Sequence, residues 1–505
     1  MRCLRLALAL KKKGHICSIF IDHKITNNIL NEKINHIYLY DFKNKKISEV
    51  LDAETFNKKT GDPGFVFLDD YRLSKTWQAK IKKKHNKIIV IDDFFNKNNN
   101  ADILINTKPD FLIKSNYEKE ISRNKNSKLL LGPKFAIINK KNKNTKKKNY
   151  FFRICFYFGG SGDLKIAIKL IKKLTFKTDF KKIDISVIIG PYSKNKKKFD
   201  KFKKNYQNIK IIQSKFNLSE EIKDFDLFIG SAGISIFETA LYKVPSIIFT
   251  LNDNQKVDNI SLEKMGHYFV LKKEDLNETA KISEIIEIFY KKKLRIKKLI
   301  MQREFNVDDK GIIRIINEIF SKNMKNLKFE ELYEKSQNKL KKNILSIEKI
   351  KDIEINNYRN VRNNLLNRKF SLKNTKIKKV DHYRWWFKNN RQSYVFKNEN
   401  KTIMYFFHDI LKINNYKFLI PGWYVVSKNT SFLQILYGIK YQYKILAQND
   451  KFKNMTQIGI INKKNKSMIN LAPKLNWQLL DNNHAILKIL KIKIKIKNIF
   501  NYYTR

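Results

Sequence analysis

The sequence predicts an α/β protein, two Rossmann-like domains in tandem followed by a smaller α+β domain. Three observations carry this expectation. From residue 1 to about 320, short uninterrupted apolar runs alternate with helical stretches, the texture of strands buried on both faces of a parallel sheet. A polar, aperiodic, Lys/Asn-rich stretch at 139–149 divides that region in two. Beyond about residue 361 the texture changes to one rich in Trp and Tyr. At 505 residues the chain exceeds a single core and fits roughly three domains. The expected boundaries are 1–145, 146–325, a charged helical linker over 326–360, and 361–505.

Taken in order, residues 1–10 are apolar but interrupted by Arg5, and run into Lys11-Lys12-Lys13-Gly14 without a small-residue cleavage site. That pattern reads as a helix closed by a glycine cap rather than a secretory leader. Strands are expected at 16–21, 64–68, 87–91 and 101–105. Past the linker come a strand at 151–158, a glycine loop at 159–163 and a helix through Leu174, then strands at 183–189, 209–212, 227–229 and 246–250. Two such halves place a ligand in the crevice between them, where the carboxyl ends of the strands point. In the third domain, strands are expected at 392–396 and 417–419, and at 491–497, where Lys and Ile alternate.

Lys and Arg number 105 against 47 acidic residues, a formal charge of +58. A nucleic-acid binder would gather such charge on one face, interleaved with aromatics. Here the lysines are scattered through every segment, with no zinc-finger, helix-turn-helix or RNA-recognition spacing, so no nucleic-acid partner is expected. Cys3, Cys17 and Cys155 have no metal-like spacing, which fits a reducing cytoplasm and no metal. No run reaches the roughly 18 apolar residues of a membrane span. Nothing in the sequence signals an oligomeric state.

Three motifs carry chemistry. Tyr157-Phe158-Gly159-Gly160-Ser161-Gly162-Asp163 lies between a strand and a helix, and Gly159, Gly160 and Ser161 can bring backbone N–H groups up to a phosphate. A Gly-Gly turn there also has purely conformational uses. The second motif runs from Asp226 to Glu238. Ser231, Ala232, Gly233 and Ile234 offer backbone donors to a diphosphate, and Glu238, early in the following helix, offers a carboxylate to ribose hydroxyls. Helix-dipole stabilisation is the competing account of Glu238. The third is 251–255, where the amides of Asn254 and Gln255 suit sugar hydroxyls or an acetamido group, although turn preference explains them equally.

With Leu241-Tyr242-Lys243-Val244-Pro245-Ser246, the order and spacing of these motifs resemble the C-terminal half of GT-B nucleotide-sugar enzymes, such as the glycosyltransferase that forms lipid II. A nearer resemblance is to the hydrolase family of pseudaminic-acid biosynthesis, which releases UDP from UDP-2,4-diacetamido-2,4,6-trideoxy-β-L-altropyranose. Met1-Arg2-Cys3-Leu4 resembles the end of its Gly-His-x-x-Arg-Cys-Leu motif, and Phe67-Leu68-Asp69-Asp70-Tyr71 its Asp-x-Tyr strand end. Ile91-Asp92-Asp93, 101–106 and 131–136 match further blocks, and the resemblance covers roughly 1–320. It implies a GT-B fold, a UDP-sugar substrate, attack of water at the anomeric carbon and no cofactor or metal. It also implies that Arg2 binds substrate, that Tyr71 faces the sugar as a hydrogen-bonding or proton-relay group, and that Asp69 and Asp70 orient water or substrate. A strand-end aromatic at the core rim and a turn cap are the structural alternatives for Tyr71 and the Asp pair.

The family histidine, three residues before the arginine, would precede Met1, as would the strand and glycine turn that open such a half. His15 and His23 are poorly placed to replace it. Either the true start lies upstream or the chain is catalytically impaired. A UDP-sugar glycosyltransferase and a non-catalytic UDP-sugar-binding protein therefore stand as alternatives.

In the third domain, 380–387 (Val-Asp-His-Tyr-Arg-Trp-Trp-Phe) resembles the His-x-x-Trp-Phe segment of GNAT-type N-acetyltransferases that act on amino sugars. The stretch 461–467 with Leu475-Asn476-Trp477 resembles the Asn…Gly-Phe region near the end of that fold. A pyrophosphate loop needs successive glycines, and 431–439 keeps only Gly438, so a degenerate or merely structural GNAT-like fold is expected, with an active acetyltransferase that binds acetyl-CoA as the alternative. Trp385, Trp386 and Phe387 read as core.

Overall fold

The computed structural model describes residues 2–21, 34–38, 48–82, 87–94, 99–139, 151–176, 179–213, 219–333, 345–372, 374–399, 401–452, 455–492 and 499–505. The chain divides into two compact units, Met1–Gln337 and Asn338–Arg505.

The first half of the first unit contains α1 (Arg2–Lys11), β1 (Ser18–Ile21), β2 (Asn35–Tyr38), α2 (Glu49–Lys59), β3 (Phe65–Leu68), α3 (Lys75–Lys82), β4 (Lys87–Ile91), β5 (Ile103–Asn106), α4 (Lys114–Arg123) and β6 (Lys128–Leu131). Helix α1 ends as its sequence implies: Gly14 takes φ +90°, and the His15 N–H bonds to Leu10 O at 3.2 Å. Strands β3, β4, β5 and β6 form a parallel sheet in that order, while β1 and β2, among the described residues, pair with each other.

The second half runs β7 (Phe152–Tyr157), α5 (Lys165–Leu174), β8 (Ile183–Ile189), α6 (Lys196–Lys203), β9 (Ile209–Gln213), α7 (Ser219–Ile222), β10 (Leu227–Ser231), α8 (Ser235–Leu241), β11 (Ser246–Thr250), α9 (Asn259–Lys264), β12 (Phe269–Lys272), α10 (Thr279–Lys291) and α11 (Lys293–Met301). Its six parallel strands lie in the order β12-β11-β10-β7-β8-β9. The continuous apolar runs of β7, β10 and β11 are buried, as strands covered on both faces must be. The order reverses between β7 and β10, which opens a crevice at their carboxyl ends.

The chain then returns to the first half. Helices α12 (Gly311–Phe320) and α13 (Phe329–Tyr333) pack Ile312, Ile315, Ile316, Ile319 and Leu332 into the core made by Val66, Ile88, Ile103 and Leu129. Buried polar bonds tie this return segment down. Lys128 pairs with Glu318 at 2.7 Å and donates to Asn323 O at 2.6 Å, and the Tyr117 hydroxyl donates to Leu327 O at 2.8 Å.

The second unit comprises β13 (Leu345–Lys349), α14 (Ile355–Asn363), α15 (Leu365–Arg368), α16 (Lys379–Lys388), β14 (Gln392–Asn398), β15 (Lys401–Ile413), β16 (Tyr416–Val425), α17 (Phe432–Gln448), β17 (Thr456–Asn462), α18 (Lys466–Leu471), β18 (Gln478–Leu479), α19 (Ala485–Leu490) and β19 (Phe500–Thr504). Its sheet runs β13-β14-β15-β16-β17-β19-β18 and is antiparallel except at β16 and β17, which share two parallel pairs. This is the α+β texture expected of the third domain.

Two expectations differ from the structure. The stretch 326–360 is not a helical linker: it holds α13, the edge strand β13 and the start of α14. Leu345-Ser346-Ile347-Glu348-Lys349 is largely exposed, so it carries little apolar signal. The strand expected at 491–497 is not seen at Lys491 and Ile492, which lie in a turn, and its remainder lies outside the described residues. Most of the 139–149 separator also lies outside them.

Candidate functional site in the crevice of the first unit

Parallel strands deliver their trailing residues to one rim. Asp69 and Tyr71 follow β3, Asp93 follows β4, and Thr107 and Lys108 follow β5. The first residue of α1, Arg2, reaches the same rim. Its guanidinium contacts Asp69 through Nη2 at 2.5 Å and Nε at 3.1 Å, and Asp93 through Nη1 at 2.7 and 2.8 Å. It also donates to the Tyr71 oxygen at 3.2 Å, and the Tyr71 hydroxyl donates to Asp93 Oδ2. Burial opposes the charge on Arg2, but the two carboxylates outweigh it and hold the guanidinium well above its usual value. Burial, reinforced by Asp93 and opposed by Arg2, pushes the Tyr71 phenol up, so it stays protonated across the physiological range. Phe94 meets the Tyr71 ring edge-on, with centroids 5.0 Å apart.

The opposite wall comes from the second half. Ala232, Gly233 and Ile234 form the turn between β10 and α8, and Asn254 and Gln255 follow β11. Together with Arg2, Asp69, Tyr71, Asp93 and Lys108 they line a cavity of about 280 Å³. Two bonds bridge its floor: Lys108 Nζ to Lys256 O at 3.3 Å, and the Asp258 N–H to Asp110 Oδ1 at 3.0 Å. Burial lowers the Lys108 pKa, opposed by Asp110, Asp93 and Asp92.

Eight of the expected site residues thus meet in one cavity: Arg2, Asp69, Tyr71, Ala232, Gly233, Ile234, Asn254 and Gln255. The loop of Gly159, Gly160 and Ser161 does not line it but lies close behind. Gly159, at φ +89°, faces Ser231, whose Oγ would lie 3.6 Å from a Cβ placed there. Ser231 itself is buried. The backbone donors expected at Ala232 and Gly233 are already engaged, by Phe249 O at 3.0 Å and Ser231 O at 2.9 Å. Glu238 does not face the cavity. It is fully buried and pairs with Arg5 Nη2 at 3.0 Å, while Arg5 Nη1 donates to Ile137 O at 2.8 Å.

Sequence reasoning did not single out Arg5, Asp93 or Lys108 as site residues. For Asp93 a signal existed, because Asp92-Asp93 trails β4 as Asp69-Asp70 trails β3. Arg5 and Lys108 are defined by contacts more than a hundred residues away, which no local pattern encodes.

In the second unit, His382 on α16 is buried, and its Nε2 donates to Ile355 O at 2.6 Å. Trp386 and Phe387 are core residues, the former donating from Nε1 to Asp352 at 2.8 Å. Gly438 sits inside α17, not in a loop, and a Cβ there would come within 2.5 Å of Met404 Sδ, so its smallness serves packing.

Residues 154–313 match the family described as the glycosyltransferase family 28 C-terminal domain. An uncharacterized protein of Methanocaldococcus jannaschii is 27% identical over 216 residues, 40% of this chain and 43% of that protein, so the match spans less than half of the relative. Among solved structures, MurG of Acinetobacter baumannii aligns at 11% identity with a TM-score of 0.40, over 63% of this chain and 94% of MurG. An N-acetyltransferase of Staphylococcus aureus aligns at 12% identity with a TM-score of 0.24, over 32% of this chain and 96% of its own. Residues 154–313, from within β7 into α12, are therefore similar to the C-terminal domain of glycosyltransferase family 28, a nucleotide-sugar-binding α/β fold.

Proposed function

We propose that the first unit holds a UDP-sugar in the crevice between its halves and hydrolyses it, releasing UDP. The sugar proposed is a diacetamido-trideoxyhexose of the kind used in pseudaminic-acid synthesis. The observation that carries this reading is the single cavity in which Arg2, Asp69, Tyr71 and Asp93 face Ala232, Gly233, Ile234, Asn254 and Gln255. One wall supplies ionisable groups, and the other supplies small residues and amides suited to a nucleotide-sugar.

In this reading Asn254 and Gln255 hold the sugar, and the 159–161 loop meets the diphosphate through backbone N–H groups. Water held by the Tyr71 hydroxyl forms the new bond to the anomeric carbon as the bond to the diphosphate oxygen breaks. Its proton passes through Tyr71 to Asp93, and UDP departs with the bonding electron pair. Arg2 positions both carboxylates, and Asp69 orients the water.

The test is UDP release from the altrose-type UDP-sugar by the full chain, with no acceptor present. Steady acceptor-free release supports hydrolysis. Release only on adding an acceptor sugar would replace it with glycosyl transfer. Binding without turnover would reduce it to a binding function.

A further inference from the structure

Two cations reach the rim of the crevice, and their surroundings act on them in opposite directions. Arg2 is bound by two carboxylates at once, those of Asp69 and Asp93, which hold its charge in place against burial. Lys108 lines the same cavity from the same wall. It is only 8% exposed, and there burial outweighs the attraction of Asp110, Asp93 and Asp92, so its pKa falls. An ammonium so placed gains from any negative charge brought to it.

The position of Lys108 is fixed from behind. Its backbone N–H bonds to Asn106 Oδ1 at 3.1 Å, and Pro109 follows, which restricts the chain as it leaves β5. The ammonium lies 6.0 Å from the centre of the Phe94 ring and donates to Lys256 O at 3.3 Å, across the crevice. Lys256 directly follows Gln255, so the lysine reaches the segment that carries Asn254 and Gln255. An ammonium has three donors, and turning one toward a ligand oxygen leaves the contact with Lys256 in place.

The charged side chains in the cavity wall are Arg2 and Lys108 against Asp69 and Asp93, which balance. A nucleoside diphosphate brings further negative charge, and Arg2 is already engaged by both carboxylates. At about 280 Å³ the cavity is small for a ligand site, so a group that fills it lies close to every side chain in its wall.

We propose that Lys108 is a further catalytic residue of the crevice: its ammonium meets the diphosphate from the first half, opposite the 232–234 turn, and stabilises the charge left on UDP as the anomeric bond breaks. The assignment rests on the UDP-sugar reading. Lys108 gives up no proton in the step. The proton of the attacking water passes through Tyr71 to Asp93, the electron pair of the anomeric C–O bond goes to the diphosphate oxygen, and the ammonium faces the anion that results.

The test compares the full chain with its Lys108→Met and Lys108→Arg variants. Calorimetry is run with UDP and with uridine, kcat is measured for acceptor-free UDP release, and thermal unfolding checks that the fold is kept. Methionine preserves the apolar stem and removes the charge. Lys108→Met is expected to weaken UDP binding by about tenfold or more with uridine unchanged, and to lower kcat by about 10²- to 10³-fold. Lys108→Arg, which keeps the charge, should retain the preference for UDP. A Lys108→Met chain that prefers UDP over uridine as strongly as the unaltered chain would overturn the proposal. So would equal losses for the two ligands, the mark of a strut between the halves. Loss of the UDP preference in Lys108→Met, with an unaltered chain that binds UDP but turns nothing over, would keep Lys108 on the diphosphate and remove the hydrolase reading instead.

Discussion

Arg5 and Glu238, 233 residues apart, form a buried ion pair that joins the first helix of one half to α8 of the other. Their side chains are 8% and 1% exposed, so the pair is shielded from solvent screening. Removing one partner from such a pair strands a charge in the interior, at a cost of about 3–5 kcal/mol. Arg5→Met and Glu238→Gln are each expected to lower the urea midpoint, and the double variant to lose less than their sum. Strict additivity in that double-mutant cycle would mean the two residues are not coupled.

The Tyr71–Asp93 contact makes a kinetic prediction. A positioned proton acceptor contributes about 10²- to 10⁴-fold to rate. Asp93→Asn is expected to cut kcat for UDP release within that range with little change in KM. Tyr71→Phe should act in the same direction, and an unaltered kcat in it would remove the phenol from the mechanism.

Glycines around the 159–163 loop separate packing from binding. Lys194 N–H bonds to Gly162 O at 3.0 Å and Tyr192 N–H to Gly160 O at 2.9 Å, so the loop after β8 braces the loop after β7. A Cβ at Gly190 would collide with the Gly160 backbone, whereas one at Gly160 would meet only Pro191 at 3.9 Å. Gly190→Ala is expected to lower stability, whereas Gly160→Ala should leave the melting temperature within a degree or two and weaken UDP binding. Calorimetry of UDP binding alongside thermal unfolding reads both, and full UDP affinity in Gly160→Ala would take that loop out of the nucleotide site.

Burial lowers the pKa of His267 and His408 to about 4 and of His382 to about 3. In the unfolded chain each would titrate near about 6.5. Between those values the unfolded state takes up protons that the folded state refuses. Stability from this source is therefore complete above about pH 6.5 and falls as pH drops toward the folded-state values. Urea midpoints at pH 7 and pH 4.5 should differ, and His267→Gln should narrow the difference. Equal midpoints at the two pH values would contradict burial of neutral imidazoles.

The sequence was most legible where burial is two-sided. Strands β4, β8 and β11 fall on the expected boundaries, because each is a short apolar run bounded by polar or turn residues. In the first unit strands β2, β6 and β12 escaped: Lys128-Leu129-Leu130-Leu131, for one, is short, and its lysine, polar by type, is buried against Glu318. In the site, the strand-end residues Asp69 and Tyr71 were readable because their chemistry follows from position on one strand. The pairing of Glu238 was not, because Arg5 reaches it only through the tertiary fold.

The return of α12 and α13 to the first half has a consequence for how the protein is made. Five side chains of that half's core, from Ile312 to Leu332, are supplied after the whole second half has been synthesised. Nascent chains usually complete their domains in order from the amino terminus. Here the later half's sheet is synthesised in full before the earlier half's core is complete, and that core closes only once α12 and α13 have left the exit tunnel.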